Sequence, residues 1–330
     1  MRTLPSPMLR LRFATHPRGA AQALILLAIL GLIAAPVLFS ANADVRRADS
    51  ALADGHPLDA FADLEHASIL LFWRADLRER AGRTAFAGGD LSAAVRLLAS
   101  TNPLSVDGWS DLGAATYQLE RFDESARALQ RGRDVHGANA LLYRGLALAR
   151  NAQGDLESEA EALQNYVALD DTDAAVRHRL GLLLSIFDPD NALAELMASA
   201  KLDEAYDPAA QTMRSALNLS SIQTDESNRL LVIGRGLGLV SEWQLAREAF
   251  QRASLADGKN AEAWAWLGEA KQHLGQEGGD ELARAVALDP FSANVRVLYG
   301  LYWKRQDEPK KALAQFQWAA AIEPQNPAFH

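Results

Sequence analysis

The chain has 330 residues, of which 49% are hydrophobic, and it carries a formal net charge of −9. This length and apolar content support a folded core and exclude a wholly disordered chain. The chain contains no cysteine, which excludes disulfides, cysteine-ligated zinc and cysteine nucleophiles. Its acidic balance argues against nucleic acid as the main ligand, because phosphate binding needs a basic face.

Residues 1–43 are predicted to form a cytoplasmic tip followed by a transmembrane anchor or a signal peptide. Residues 20–39 carry no charged side chain, and the four arginines of residues 1–43 all precede them. At about 1.5 Å per residue, a helix of this length spans ~30 Å, which is enough to cross a bilayer core. The positive-inside rule then predicts a cytoplasmic N-terminus and a body outside the cytoplasm.

Two interpretations of this segment stay open, a retained single-span anchor and a signal cleaved near Ala43. Pro36 is expected to break the helix, and Ala41-Asn42-Ala43 before Asp44 has the small-x-small pattern of a cleavage site. The length of the apolar stretch and of the segment before it favours the anchor. A buried helix of the fold is disfavoured because the stretch has no polar face.

Residues 44–74 show helical periodicity, with a turn at Gly55-His56-Pro57, and are predicted to be degenerate capping helices. From residue 75 onward the sequence repeats itself. Units of 34 residues span 106–139, 140–173, 227–260 and 293–326, and shorter units span 75–105, 174–205 and 261–292. The predicted organisation is an N-terminal array at 75–205, an irregular joint at 206–226, a C-terminal array at 227–326, and the start of a possible further repeat at 327–330. Within the joint, residues 208–222 are predicted to form one helix.

Small residues recur at two positions of the repeat. The eighth position holds Gly82, Gly113, Ala147, Gly181, Gly234, Gly268 and Gly300. The twentieth holds Ala94, Ser125, Glu159 (beside Ala160), Ala192, Ala246 and Ala312. Small residues let two antiparallel helices approach closely, and large residues such as Phe250 and Phe316 are expected to fill the remaining space. The chain is therefore predicted to be all-α.

Residues 264–268 (Trp-Ala-Trp-Leu-Gly), residues 109–113 (Trp-Ser-Asp-Leu-Gly) and the stretch from Ala312 through Phe316 to Pro324 resemble tetratricopeptide (TPR) repeats of a bacterial type. The resemblance covers residues 75–326 with one gap. It implies a right-handed superhelical solenoid of antiparallel helix pairs, whose concave groove holds a peptide or a partner helix.

In such a solenoid the first helix of each pair lines the groove, so its outward residues are candidate partner contacts. The candidates are Tyr117, Arg144, Asn151, His178, Arg235, Glu269, Gln272 and Lys304. Tyr117, Arg144, Asn151 and His178 are singled out because three consecutive regular units are expected to align them on one surface. Arginine and aromatic side chains are frequent anchors at protein interfaces.

No catalytic, cofactor or metal site is predicted. The seven histidines are scattered, and no two lie three or four residues apart on one predicted helix. Residues 230–238 imitate a dinucleotide-binding loop, but Leu239 stands where the third glycine would be needed. Helix packing at Gly234 is the preferred interpretation of that stretch.

The leading hypothesis is a non-enzymatic scaffold of the cell envelope, exported or membrane-tethered, that binds a protein or peptide partner. A first alternative is an interaction arm of a larger envelope enzyme or transporter complex. A second is a solenoid that binds glycan or peptidoglycan, suggested by Trp266 and Trp318. The sequence predicts neither the oligomeric state nor the identity of the partner, because a repeat fold sets a shape and not a ligand.

Overall fold

A computed structural model of the protein describes residues 17–325, and all of their regular elements are helices, with no strand among them. The helices group into two compact units, Met1–Val135 and His136–His330. The all-α fold of consecutive antiparallel helix pairs is confirmed. The start of a further repeat predicted at 327–330 lies outside the described residues.

The first unit contains one long helix and five shorter ones. They are α1 (Pro17–Ala53), α2 (Pro57–Leu70), α3 (Ala75–Ala87), α4 (Leu91–Ala99), α5 (Val106–Gln118) and α6 (Phe122–His136). The helix break expected at Pro36 was wrong, because α1 continues through it to Ala53. A proline removes one backbone hydrogen bond, and here residues 41–53 beyond it are held as helix by packing against α2.

The second unit contains eleven α-helices among its described residues and a single 3₁₀ turn at Glu204–Tyr206. The helices are α7 (Ala140–Gln153), α8 (Leu156–Val167), α9 (Ala174–Phe187), α10 (Pro189–Leu202), α11 (Asp207–Ser221), α12 (Glu226–Leu239), α13 (Trp243–Ala256), α14 (Ala261–His273), α15 (Gly279–Leu288), α16 (Ala293–Arg305) and α17 (Pro309–Ile322). Across both units, the seven repeats predicted from the sequence each contain one helix pair.

Local sequence explains where many of these helices begin. The side chains of Asp90, Asp155, Asp173 and Asp225 each accept a hydrogen bond from the backbone N–H three residues on, at 2.8 to 3.1 Å. Such N-caps satisfy donors that the first helical turn leaves unpaired. Between α7 and α8, Gly154 has a φ of +76°, a left-handed conformation that ends the helix and that glycine adopts without strain.

The glycines of the eighth repeat position lie where the two helices of a pair touch. A Cβ added to Gly234 would lie 2.5 Å from the ring of Phe250, and one added to Gly300 would lie 2.5 Å from the ring of Phe316. A Cβ added to Gly113 would likewise lie 2.5 Å from Leu129. The predicted packing of large residues against small ones is therefore confirmed at these pairs, and it fixes which face of each first helix turns outward.

The segment predicted as an irregular joint, residues 206–226, is mostly helix. The helix expected over 208–222 appears as α11, which packs against α10 before it and α12 after it. It is therefore an additional helix between two regular pairs. The division of the repeats into two arrays at this segment stays a prediction, and the boundary between the two compact units falls at Val135/His136.

Candidate partner-binding cleft

A cleft of about 420 Å³ opens between α11 and α12. Its lining residues are Thr212, Ser215, Ala216 and Leu219 from α11, and Val232, Arg235, Gly236 and Leu239 from α12. On each helix these residues follow the spacing i, i+3, i+4 and i+7, so each helix contributes one continuous stripe.

Small residues bring the two helices together at the floor of the cleft. A Cβ added to Gly236 would lie 2.5 Å from the Cβ of Ala216 and 3.4 Å from the sulfur of Met213. The rims are apolar and exposed, with Leu219 on one side and Leu239 on the other. An open groove between two helices, with apolar rims at helical spacing, has the shape that accepts a third helix.

Arg235 supplies the charge at this cleft. Its guanidinium carbon lies 5.5 Å from the ring centroid of Trp266, and that ring stacks on Phe250 with centroids 5.8 Å apart. Arg235 is exposed and forms no ion pair with any residue between 17 and 325. The guanidinium is thus oriented by an aromatic ring and is available to a carboxylate.

Glu269 does not face an open groove, so the outward position expected for it was wrong. It is buried, and its carboxylate accepts hydrogen bonds of 2.7 and 2.6 Å from Nη1 and Nη2 of Arg305. Nε2 of His273 lies 3.2 Å from the same carboxylate, and the His273 ring stacks on Trp243. The register of α14 alone placed Glu269 outward, but Arg305 of the next first helix covers it.

Asn151 is engaged inside the second unit. Its Nδ2 donates to Oε2 of the buried Glu159 at 2.8 Å, and Arg179 donates to both oxygens of that carboxylate at 2.7 and 2.9 Å. Gln272 is half-buried and donates from Nε2 to the backbone oxygen of Gln276 at 3.0 Å. The polar groups of Asn151 and Gln272 thus have internal partners before any ligand arrives.

His178 is half-buried, and its ring stacks on Tyr206 with centroids 4.5 Å apart. Its Nδ1 is buried and has no hydrogen-bond partner in the described part of the chain. Burial lowers the pKa of His178 below its ordinary value of 6.5, and the nearby charge of Arg179 lowers it further. The ring is therefore held in its neutral form at neutral pH.

Arg144 and Lys304 are exposed on α7 and α16, as expected from their register. Tyr117 lies on α5 of the first unit, where its ring packs against Phe122 at a centroid distance of 5.4 Å. The common surface expected for Tyr117, Arg144, Asn151 and His178 would cross from one compact unit to the other, and it stays a prediction.

The α11 side of the cleft was not among the candidate residues. Thr212, Ser215, Ala216 and Leu219 lie in the segment read as a joint, so only Arg235 of the lining set was identified. A signal was present, since small and apolar residues recur there at helical spacing. This spacing predicts an apolar face on α11, but it does not predict which helix packs against that face.

The stretch that imitates a dinucleotide-binding loop, residues 230–238, lies within α12, and Gly234 packs on Phe250 as the packing interpretation expected. Among residues 17–325, no group of three or more His, Asp or Glu side chains is placed to hold a metal ion.

A second, smaller cleft of about 270 Å³ lies within the first unit. Its lining includes Trp109 and Thr116 from α5 and Glu124, Arg127 and Arg131 from α6. The indole Nε1 of Trp109 is buried without a hydrogen-bond partner in the described chain. This cleft contains none of the predicted contact residues.

No family model matches the sequence, and no curated protein matches it at a significant level. The structure is similar to that of MamA, with 17% identity, a TM-score of 0.29, and coverage of 55% of this chain and 95% of that chain. It is similar to YrrB, described as a TPR protein with an unusual peptide-binding site, with 17% identity, a TM-score of 0.30, and coverage of 62% and 96%. It is also similar to a tetratricopeptide repeat protein from Parabacteroides merdae, with 13% identity, a TM-score of 0.36, and coverage of 88% and 96%. Similarities at these identities and TM-scores do not indicate a function for this chain.

Proposed function

We propose that this chain is a membrane-tethered, non-catalytic scaffold that holds a helical segment of a partner protein in the cleft between α11 and α12. The observation that carries the proposal is the cleft itself, with its apolar rims and the exposed cation of Arg235, which forms no ion pair within residues 17–325. The occupant is an amphipathic helix with apolar residues at i, i+3 or i+4, and i+7, and a carboxylate opposite Arg235. Arg144 and Lys304, exposed on other first helices, are candidates for secondary contacts.

The tether is the first part of α1. From Leu24 to Phe39 the side chains are exposed around the helix, apart from the half-buried Val37. One helix in the described chain is long and apolar enough to cross a membrane, and it contains this stretch. The arginines before it favour a cytoplasmic N-terminus, which puts both repeat units outside the cytoplasm.

The packing after this stretch favours a retained anchor over a cleaved signal. Ala41 is 0% exposed, in one hydrophobic cluster with Leu64, Ala67 and Leu71. Asp44 is also buried, and its carboxylate pairs with His66 at 2.8 Å and with Arg47. Cleavage after Ala43 would cut α1 in mid-helix and remove Ala41 from this core. The residues on both sides of the Ala43–Asp44 bond thus belong to the folded α1–α2 hairpin.

The cleft is better suited to a peptide than to a glycan. Trp266 stacks on Phe250 and carries Arg235 over its ring, so its indole is half-buried. Trp318 is exposed, with Arg296 at 5.4 Å from its ring centroid, but it does not line the cleft. Sugars stack on open aromatic faces, whereas the exposed apolar side chains of the cleft are Leu219 and Leu239.

Photo-crosslinking tests this proposal directly. A photoreactive residue replaces Leu239 at the cleft rim in the full chain, and in a matched control it replaces Leu255 on α13, since the two are 79% and 74% exposed. Irradiation of native-host membranes should crosslink the photoreactive residue at position 239 to one protein, and the residue at position 255 to none. Peptide mapping should place the link in a helix with the stated apolar spacing and a carboxylate.

Arg235→Glu, introduced into the variant with the photoreactive residue at position 239, should abolish that crosslink. The new carboxylate would repel the carboxylate of the partner helix. Arg235→Lys should retain part of the crosslink. Equal capture at Leu239 and Leu255, or a link unchanged by Arg235→Glu, would show that the cleft is not the binding site.

A further inference from the structure

An exposed apolar cluster lies at the turn from α2 to α3. Ile69, Phe72 and Trp73 are 64%, 72% and 60% exposed. The rings of Phe72 and Trp73 pack edge to face, with centroids 5.1 Å apart. Neighbouring Leu71 points the other way, into the hydrophobic core. The cluster is thus a defined surface of three large side chains that nothing in the described first unit covers.

The register of the α1–α2 hairpin places this cluster beside the end of the apolar stretch of α1. His66 pairs with Asp44 at 2.8 Å, and Asp63 pairs with Arg47 at 2.8 Å. Each pair joins residues equally far from the turn between the two helices. The same register brings Leu70, the last residue of α2, level with Ser40, next to the exposed Phe39, and Phe72 and Trp73 follow in the turn after α2.

We propose that Ile69, Phe72 and Trp73 insert into the interfacial region of the bilayer that α1 crosses. The proposal rests on the tether described above and adds a second point of attachment to it. The apolar surface of α1 ends at Phe39, and the cluster lies at the end of α2 that the register pairs with this end of the stretch. Aromatic side chains, tryptophan above all, are favoured at the boundary between hydrocarbon and headgroups.

Two attachment points have a consequence that one helix would not have. A single span leaves the attached domain free to tilt and rotate, whereas the aromatic cluster fixes one side of the α1–α2 hairpin against the membrane. A charged pair borders the cluster, because Arg74 follows Trp73 directly and pairs with Asp76. The first unit is therefore held at a defined orientation above the bilayer surface.

Site-specific fluorescence quenching tests this inference on the full chain. The natural sequence has no cysteine, so Phe72→Cys, Ser50→Cys and Leu30→Cys each give a single labelling site. Each variant carries an environment-sensitive fluorophore and is reconstituted into vesicles of phosphatidylethanolamine and phosphatidylglycerol. One set of vesicles contains lipid spin-labelled near the headgroup, and the other contains lipid spin-labelled deep in the acyl chain.

The probe at Phe72 should be quenched by the headgroup label several-fold more than the probe at Ser50. Ser50 is an exposed position on the same hairpin, about 16 Å farther along α1 than Phe39 at ~1.5 Å per residue. The probe at Leu30, in the proposed span, should be quenched by the deep label. These exposed positions tolerate substitution, and circular dichroism verifies that the variants stay helical.

The outcomes separate this inference from the tether. If the Leu30 probe is quenched and the Phe72 probe behaves as the Ser50 probe does, the tether stands and the interfacial cluster is wrong. If the Phe72 probe is shielded from lipid labels and from aqueous iodide alike, a protein covers the cluster instead of lipid. If the deep label fails to quench the Leu30 probe, the tether and the inference fail together.

Discussion

The guanidinium of Arg305 forms two hydrogen bonds with the carboxylate of Glu269, at 2.6 and 2.7 Å. The two residues lie on α14 and α16, the first helices of successive pairs, and the side chain of Glu269 is nearly inaccessible. Arg179 likewise donates two hydrogen bonds to the carboxylate of the buried Glu159. Buried carboxylates that join successive repeats are thus a recurrent feature of the second unit.

Arg305→Met should lower the free energy of unfolding by about 3 kcal/mol, because it leaves the Glu269 carboxylate buried with only His273 as a partner. Urea denaturation measures the loss. The double variant Glu269→Leu/Arg305→Met should recover much of it, since no unpaired charge remains. A double variant no more stable than Arg305→Met would mean that the pair acts through packing and not through charge.

Gly234→Ala should destabilise the second unit by up to roughly 2 kcal/mol. The new Cβ would lie 2.5 Å from the ring of Phe250, which is fully buried, so the ring can move away only against its packed neighbours. Overpacking of this kind costs roughly 1–3 kcal/mol, and the better helix propensity of alanine offsets about 1 kcal/mol of it. Gly258→Ala, in the turn after α13, is the control for an added methyl group without crowding, because a Cβ there meets no atom within 4 Å. Equal midpoints of denaturation for the two variants would contradict the close approach.

His178 should titrate below its ordinary pKa of 6.5, because burial disfavours its charged form. A histidine with a depressed pKa contributes stability that is fully present above the pKa of the unfolded state and is lost as the pH falls below it. Stability should therefore decrease as the pH falls through about 6.5, the pKa of an unfolded histidine, and less so in His178→Gln.

Histidine NMR titration measures this pKa, with His178→Gln identifying the resonance. Tyr206→Ala opens the ring to water and should raise the pKa toward its ordinary value. A pKa of 6.5 or above in the unaltered protein would show that the ring is solvated.

Much of the fold follows from short-range pattern. The repeat places Gly82, Gly113 and Gly234 against the second helix of each pair, and the structure puts them there because a helix pair is a local unit joined by a short turn. The same register placed Arg235 on an exposed face. It misplaced Glu269, whose partner Arg305 lies a full repeat away and is invisible to a pattern read along one helix.

The sequence by itself determined the apolar length of residues 20–39, the helical periods and the spacing of small residues, since each of these depends on residues close together in the chain. Only the tertiary structure decided that Ala41 and Asp44 belong to the folded hairpin, that α11 and α12 form a cleft lined by Arg235, and that Phe72 and Trp73 pack together as an exposed cluster after α2. The physical reason is the same in all three cases. Burial, clefts and surface clusters depend on contacts between different helices. A pattern along the sequence predicts which face of a helix is apolar, but not which neighbour packs against that face.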